Sequence, residues 1–83
     1  MSDVRVEVIM QKGNCAAGHK VGDHWVCGSK TPAGVCAAAY VMLYPTIRSL
    51  MFGAKIPWAK PDGSVELVCA DYDNPVLFKI KPV

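Results

Sequence analysis

The sequence predicts an α+β domain in which a small antiparallel sheet of about four strands packs on one central helix. Segments of strand composition lie near both ends of the chain, one long segment between them repeats apolar residues at helical spacing, and polar turns separate them. The 83 residues suffice for a single domain, residues 1–83. An apolar share of 52% against 19% charged residues predicts a packed core and excludes a disordered chain.

Two strands are expected in the amino-terminal third. Residues Val4 to Met10 alternate valine with charged residues, so the valines share one face of a half-buried strand. The chain then turns at Gly13 and passes through a compact glycine-containing loop. Asp23 to Cys27 has the composition of a second short strand, and the two strands predict a hairpin-like unit.

The middle of the chain predicts one helix. Thr31 and Pro32 are typical of a helix start. The threonine hydroxyl can accept a hydrogen bond from a backbone N–H that has no partner in the first turn, and proline has no N–H at a position where that group would be unpaired. Pro45 predicts either a kink or a division into two helices, and Gly53 predicts a left-handed cap at the end. Five residues at helical spacing form a stripe expected to face the core: Cys36, Tyr40, Leu43, Ile47 and Leu50.

Two further strands are expected near the carboxyl terminus. Val65 to Cys69 and Val76 to Ile80 are rich in β-branched and aliphatic residues. The short polar segment from Asp71 to Pro75 joins them, which is the pattern of an antiparallel hairpin. With the first two strands they complete the predicted sheet.

Charge and hydropathy exclude two classes of partner. Nine Lys and Arg against seven Asp and Glu give a net charge of +2, and they are scattered, so we expect no nucleic-acid partner. The longest apolar stretch, Val35 to Tyr44, is 10 residues, far below the roughly 20 that a bilayer requires. The first seven residues lack the apolar core of a secretion signal. We therefore expect a cytoplasmic protein without membrane contact, in which cysteines are thiols or metal ligands before they are disulfides.

The cysteines carry the strongest chemical signal. Cys15, Cys36 and Cys69 are each followed by alanine, and His19 lies four residues beyond Cys15. Thiolates and imidazole prefer zinc or iron, so these four residues predict a Cys3His metal site if the fold brings them together. An iron–sulfur cluster held by the same residues is the close rival. Cys27 precedes a glycine in a predicted turn and forms a class of its own, with an open role.

Three other interpretations of these residues remain open. Free cysteines are often buried, so packing alone could explain them. Cys36 near the helix start, or Cys15, could instead be a catalytic nucleophile with His19 as its base. A third possibility is an interaction subunit without chemistry, whose sheet edge or apolar helix face completes an oligomer.

Several short motifs together resemble a family of small uncharacterised bacterial and archaeal proteins of about this length, many of them from anaerobes. That family has no established activity. The resemblance implies that Cys15, His19, Cys36 and Cys69 occupy its Cys and His positions, that Cys27 has no counterpart, and that iron–sulfur chemistry stands beside zinc. Relatives often have proline after these cysteines where this chain has alanine. The motifs are Gln11 to Asp23, Thr31 to Cys36, Leu43 to Pro45, Phe52–Gly53, Pro57–Trp58, Cys69 to Asp71 and Asn74 to Val76.

The sequence thus predicts a small metal- or iron–sulfur-binding accessory module. Its partners would be copies of itself or another protein. Coordination could be structural without being catalytic, because metal binding contributes on the order of ten kcal/mol to folding in zinc-finger peptides.

Overall fold

The strands and the helix follow the predicted order along the chain. The computed structural model describes residues 3–83; Met1 and Ser2, part of the stretch expected to lack a secretion signal, lie outside this range. The elements are β1 (Val4–Gln11), β2 (His24–Cys27), α1 (Ala37–Met51), β3 (Val65–Val68) and β4 (Val76–Pro82). The strands form one sheet in the order β2-β1-β4-β3, with every neighbouring pair antiparallel. The predicted α+β class is therefore confirmed.

One face of the sheet supplies most of the buried core residues, and α1 supplies the others. The valines of β1, Val4, Val6 and Val8, are fully buried, as the alternation predicted. Alternate residues of β4 are buried beside them, since β1 and β4 are the two central strands. The β1 and β4 register shifts between Val8 and Met10, which marks a bulge near the end of β1.

Helix α1 covers this face but begins later than predicted. Its first residue is Ala37, and Cys36 is the N-cap with extended backbone, so the predicted start at Thr31 and Pro32 is wrong. Gly34 explains the difference, because its φ of +89° is left-handed and interrupts any right-handed helix. The helix then runs without a break through Pro45, which excludes the division into two helices.

The carboxyl end of α1 agrees with the prediction. Gly53 has a φ of +79° and donates its N–H to the Leu50 carbonyl at 3.1 Å. Ala54 donates to the Ser49 carbonyl at 3.0 Å, so the two bonds form a Schellman motif. With 15 residues α1 is too short to cross a bilayer, and no helix within residues 3–83 has the required length and apolar character.

The outer face of the sheet carries the charges. Asp62, in the connection between α1 and β3, accepts hydrogen bonds from the Ser64 hydroxyl at 2.6 Å and the Ser64 N–H at 3.0 Å. Its carboxylate also lies 3.2 Å from the Lys79 ammonium on β4. The bonds from Ser64, followed by Lys79, hold the pKa of Asp62 well below its usual range.

Replacing Asp62 with Asn should destabilise the protein in a pH-dependent way. A carboxylate with a lowered pKa stabilises the fold fully above the ordinary aspartate pKa of about 3.9, and this contribution disappears as the pH falls below it. Urea unfolding should therefore show wild type more stable than Asp62→Asn at pH 6, with the difference shrinking toward pH 2.5. A difference that does not change over this range would contradict the ion pairing.

Candidate functional site

A cavity of about 150 Å³ lies at the end of the sheet where β1 and β3 finish. The loop after β1 contributes Cys15 and His19 to its wall, the N-cap of α1 contributes Cys36, and the segment after β3 contributes Cys69. The structure therefore brings all four predicted ligands to one cavity, although they come from three separate segments of the chain. Alanine side chains, Val76 and Phe78 supply most of the remaining wall.

Asn74 ties together the two loops that carry Cys15 and Cys69. Its side-chain oxygen accepts the backbone N–H of Asn14 at 2.8 Å, across 60 positions of sequence. Beside this bond, the Lys12 N–H donates to the Pro75 carbonyl at 3.0 Å. Cys15 follows Asn14 directly, so these bonds determine where its thiol lies relative to the segment after β3.

Glycine at position 13 allows the Asn74 side chain to lie close to the backbone of the loop after β1. Gly13 has a φ of +72°, and a Cβ at this position would collide with the side-chain oxygen of Asn74. On the other side, the Asp71 carboxylate accepts the N–H groups of Asp73 and Asn74 at 3.1 and 3.2 Å. Asp71 thereby shapes the turn that presents the Asn74 side chain.

His19 fixes the position of Cys36. The imidazole is buried, and its Nε2 accepts the backbone N–H of Cys36 at 3.0 Å, which assigns the ring proton to Nδ1. Its ring meets Trp25 edge-on at 5.0 Å between centroids and Phe78 at 6.2 Å. Because Nε2 already has a partner, it can bind a metal only after releasing the Cys36 amide.

The three thiols of the cavity are partly exposed and reduced. Cys15, Cys36 and Cys69 all have intermediate exposure, and each is a free cysteine. The Cys69 sulfur accepts the backbone N–H of Val76 at 3.3 Å. Hydrogen bonds of this kind to ligating sulfurs are among the contacts that set the potentials of iron–sulfur clusters.

Cys27 lies apart from this group. It is the last residue of β2, is 1% exposed and belongs to the hydrophobic core, with Val4 opposite it in the neighbouring strand. Burial raises the pKa of the Cys27 thiol, which makes it a poor nucleophile and a poor ligand. The sequence distinguished Cys27 from the other three cysteines. The structure places it at the end of edge strand β2, where the predicted second strand also ends, with its side chain buried in the core.

The spacing of the donors bears on what the cavity can hold. Zn–S bonds of about 2.3 Å place the sulfurs of a tetrahedral site about 3.8 Å apart. Within residues 3–83, no three side chains of His, Cys, Asp or Glu are arranged to hold one metal ion. The four predicted ligands therefore line one cavity without forming such a group within the described residues.

Two residues of the cavity wall were missed by the sequence reading, Asp71 and Asn74. Asp71 begins a turn that ends at Asn74–Pro75, and an aspartate in that place is typical of a side chain that accepts turn amides. That local signal could have been found. The bond from Asn14 to Asn74 could not, because nothing local relates residues so far apart.

Comparison with known proteins adds no constraint to this geometry. No protein-family model, no curated protein and no solved structure matches the chain. The resemblance described above therefore stays a prediction, and the functional conclusion rests on the side chains of this cavity.

Replacing Asn74 with Ala should loosen the connection between the two cysteine loops. The change removes the acceptor of the Asn14 N–H, which is exposed to solvent, so the free energy of unfolding in urea should fall by about 0.5–1.5 kcal/mol. Asn14→Ala is the matched control, because Asn14 donates through its backbone and should lose less than about 0.5 kcal/mol. Equal losses in the two variants would show that this bond does not join the loops.

Proposed function

We propose that this protein is a small metal- or iron–sulfur-binding accessory module that acts in the cytoplasm, with Cys15, Cys36 and Cys69 as its principal ligands. The observation that carries the proposal is the meeting of these three partly exposed thiols on one cavity of about 150 Å³. Soft thiolates together with an imidazole form a donor set that selects zinc or iron.

The distribution of cysteines favours a binding site over simple packing. Three of the four thiols line the cavity although their loops and helix end are separate in sequence. Only Cys27 lies in the hydrophobic core, where an inert thiol is expected. Cys15, Cys36 and Cys69 pack against the edge of that core but remain partly exposed where they line the cavity.

The size of the cavity favours a cluster over a single zinc ion. An iron–sulfur cluster has its own inorganic core, so its protein sulfurs stand farther apart than those around one zinc. The thiols line the wall of this cavity, and within residues 3–83 they form no group that would hold a single metal ion. Zinc is the alternative occupant, and its binding would require the thiols to move inward.

The fourth ligand is the distinguishing feature of the proposed site. His19 can serve once its Nε2 releases the Cys36 amide, which would complete the Cys3His set. If that hydrogen bond persists, three thiolates hold the group and leave one position for an outside ligand. When bound, a cluster would supply one-electron transfer, and an open iron would also polarise a ligand.

Two alternatives from the sequence receive different support. A thiol enzyme would need His19 to take the proton of a cysteine, but Nε2 faces the backbone N–H of Cys36. An interaction subunit receives some support from exposed apolar side chains of α1, including Val41 and Met42. That role is compatible with an accessory module whose partner is a second copy or another protein.

Reconstitution without oxygen tests the proposal. Protein incubated with ferrous iron, sulfide and a thiol reductant should turn brown, absorb at about 400 nm and retain iron and sulfide after desalting. Cys15→Ala, Cys36→Ala and Cys69→Ala should each lose most of this absorption, since each removes one thiolate. Elemental analysis of the same samples distinguishes iron from zinc.

Cys27→Ala is the matched control, because it removes a cysteine that lies outside the cavity. It should retain iron at the wild-type level. One equivalent of colourless zinc, lost in the three cavity variants, would replace the cluster by a mononuclear site. Failure to bind either metal, or equal losses in Cys27→Ala and Cys36→Ala, would contradict the proposal.

A further inference from the structure

A second cavity, of about 430 Å³, lies between α1 and the segment that follows β2. The helix contributes Tyr40, Tyr44 and Arg48 to its wall, and the segment contributes Ser29 and Thr31. None of the residues around this cavity lines the cavity of the thiols. Its volume falls within the range of about 300–1,000 Å³ that is usual for small-molecule sites.

Arg48 gives this cavity its charge. It is the only charged residue in α1 and the only one in the cavity wall. Its guanidinium lies 4.6 Å from the centre of the Phe52 ring, a contact that restrains the side chain without using its N–H donors. Among the ion pairs formed within residues 3–83, none includes Arg48.

The rest of the wall combines hydroxyl groups with flat rings. Tyr40 and Tyr44 lie one helical turn apart, and their ring centroids are 5.6 Å apart at an angle of 42°. Burial, with smaller contributions from Cys27 and Tyr44, raises the pKa of Tyr40. Its hydroxyl is protonated and able to donate at neutral pH, as it would be at the ordinary tyrosine pKa of about 10. Ser29 and Thr31 add two further hydroxyls on the opposite side.

We propose that this cavity binds a small anion carried on a planar ring, such as an aromatic carboxylate or an aryl phosphate. The anionic group would meet the guanidinium of Arg48, whose fork of donors matches carboxylate and phosphate oxygens. The ring would lie against Tyr44 and Pro45, which offer flat and apolar surface. No acidic side chain lines the wall to repel such a ligand. The site is independent of the metal or cluster proposed above.

Three probes of similar size test this site: benzoate, phenyl phosphate and uncharged benzyl alcohol. In a two-dimensional NMR titration of the ¹⁵N-labelled protein, the two anions should shift the amide signals around Tyr44 and Arg48 to saturation. Benzyl alcohol should bind at least about tenfold more weakly, because it lacks the charge-assisted hydrogen bonds. The tighter of the two anions identifies the preferred headgroup.

Arg48→Gln should weaken binding of both anions at least about tenfold and leave benzyl alcohol unchanged. Arg5→Gln is the matched control, since Arg5 is a partly exposed arginine on β1 that lines a different depression and pairs with Glu7. It should bind the anions as wild type does. No saturable shift up to about 10 mM anion, equal binding of benzyl alcohol, or an unchanged affinity in Arg48→Gln would overturn the proposal.

Discussion

The hydrogen bond from the Asn14 backbone to the Asn74 side chain is the constraint on which the thiol cavity depends. It extends the pairing of β1 with β4 beyond the end of the sheet, so two loops that would otherwise diverge stay in contact. The Lys12 to Pro75 bond lies directly beside it. Without this connection, Cys15 and Cys69 would belong to two independent loops, and a common ligand would have to bear the entropy of bringing them together.

Sheet topology explains why the third thiol joins them. In an antiparallel sheet ordered β2-β1-β4-β3, the last residues of β1 and β3 lie at the same end of the sheet as the first residues of β4. Helix α1 begins at this end of the sheet, where the His19 ring accepts the backbone N–H of Cys36 and so holds the N-cap residue of the helix in place. The cavity is thus a consequence of the fold, which brings the three thiols to one wall.

The sequence was informative wherever a local pattern has one structural outcome. Alternating valines identified β1, and Gly53 identified the end of α1, because each feature is decided by neighbouring residues. The predicted helix start was wrong. Thr31 and Pro32 are residue types typical of a helix start, but Gly34 adopts a left-handed conformation, so no right-handed helix continues from them. The pairing of Asn14 with Asn74, and the use of His19 by a backbone amide, depend on tertiary contacts and leave no local pattern.

The two cavities differ in their chemistry. One offers thiols in a largely apolar wall, and the other offers a single arginine among hydroxyls and rings.

The central claim is that Cys15, Cys36 and Cys69 share one occupant. It is tested most directly by a crystal structure of the anaerobically reconstituted protein with anomalous data at the iron edge. We expect iron peaks in the thiol cavity, bonded to these three sulfurs. Three free thiols beside an empty cavity, with iron bound elsewhere or absent, would contradict it.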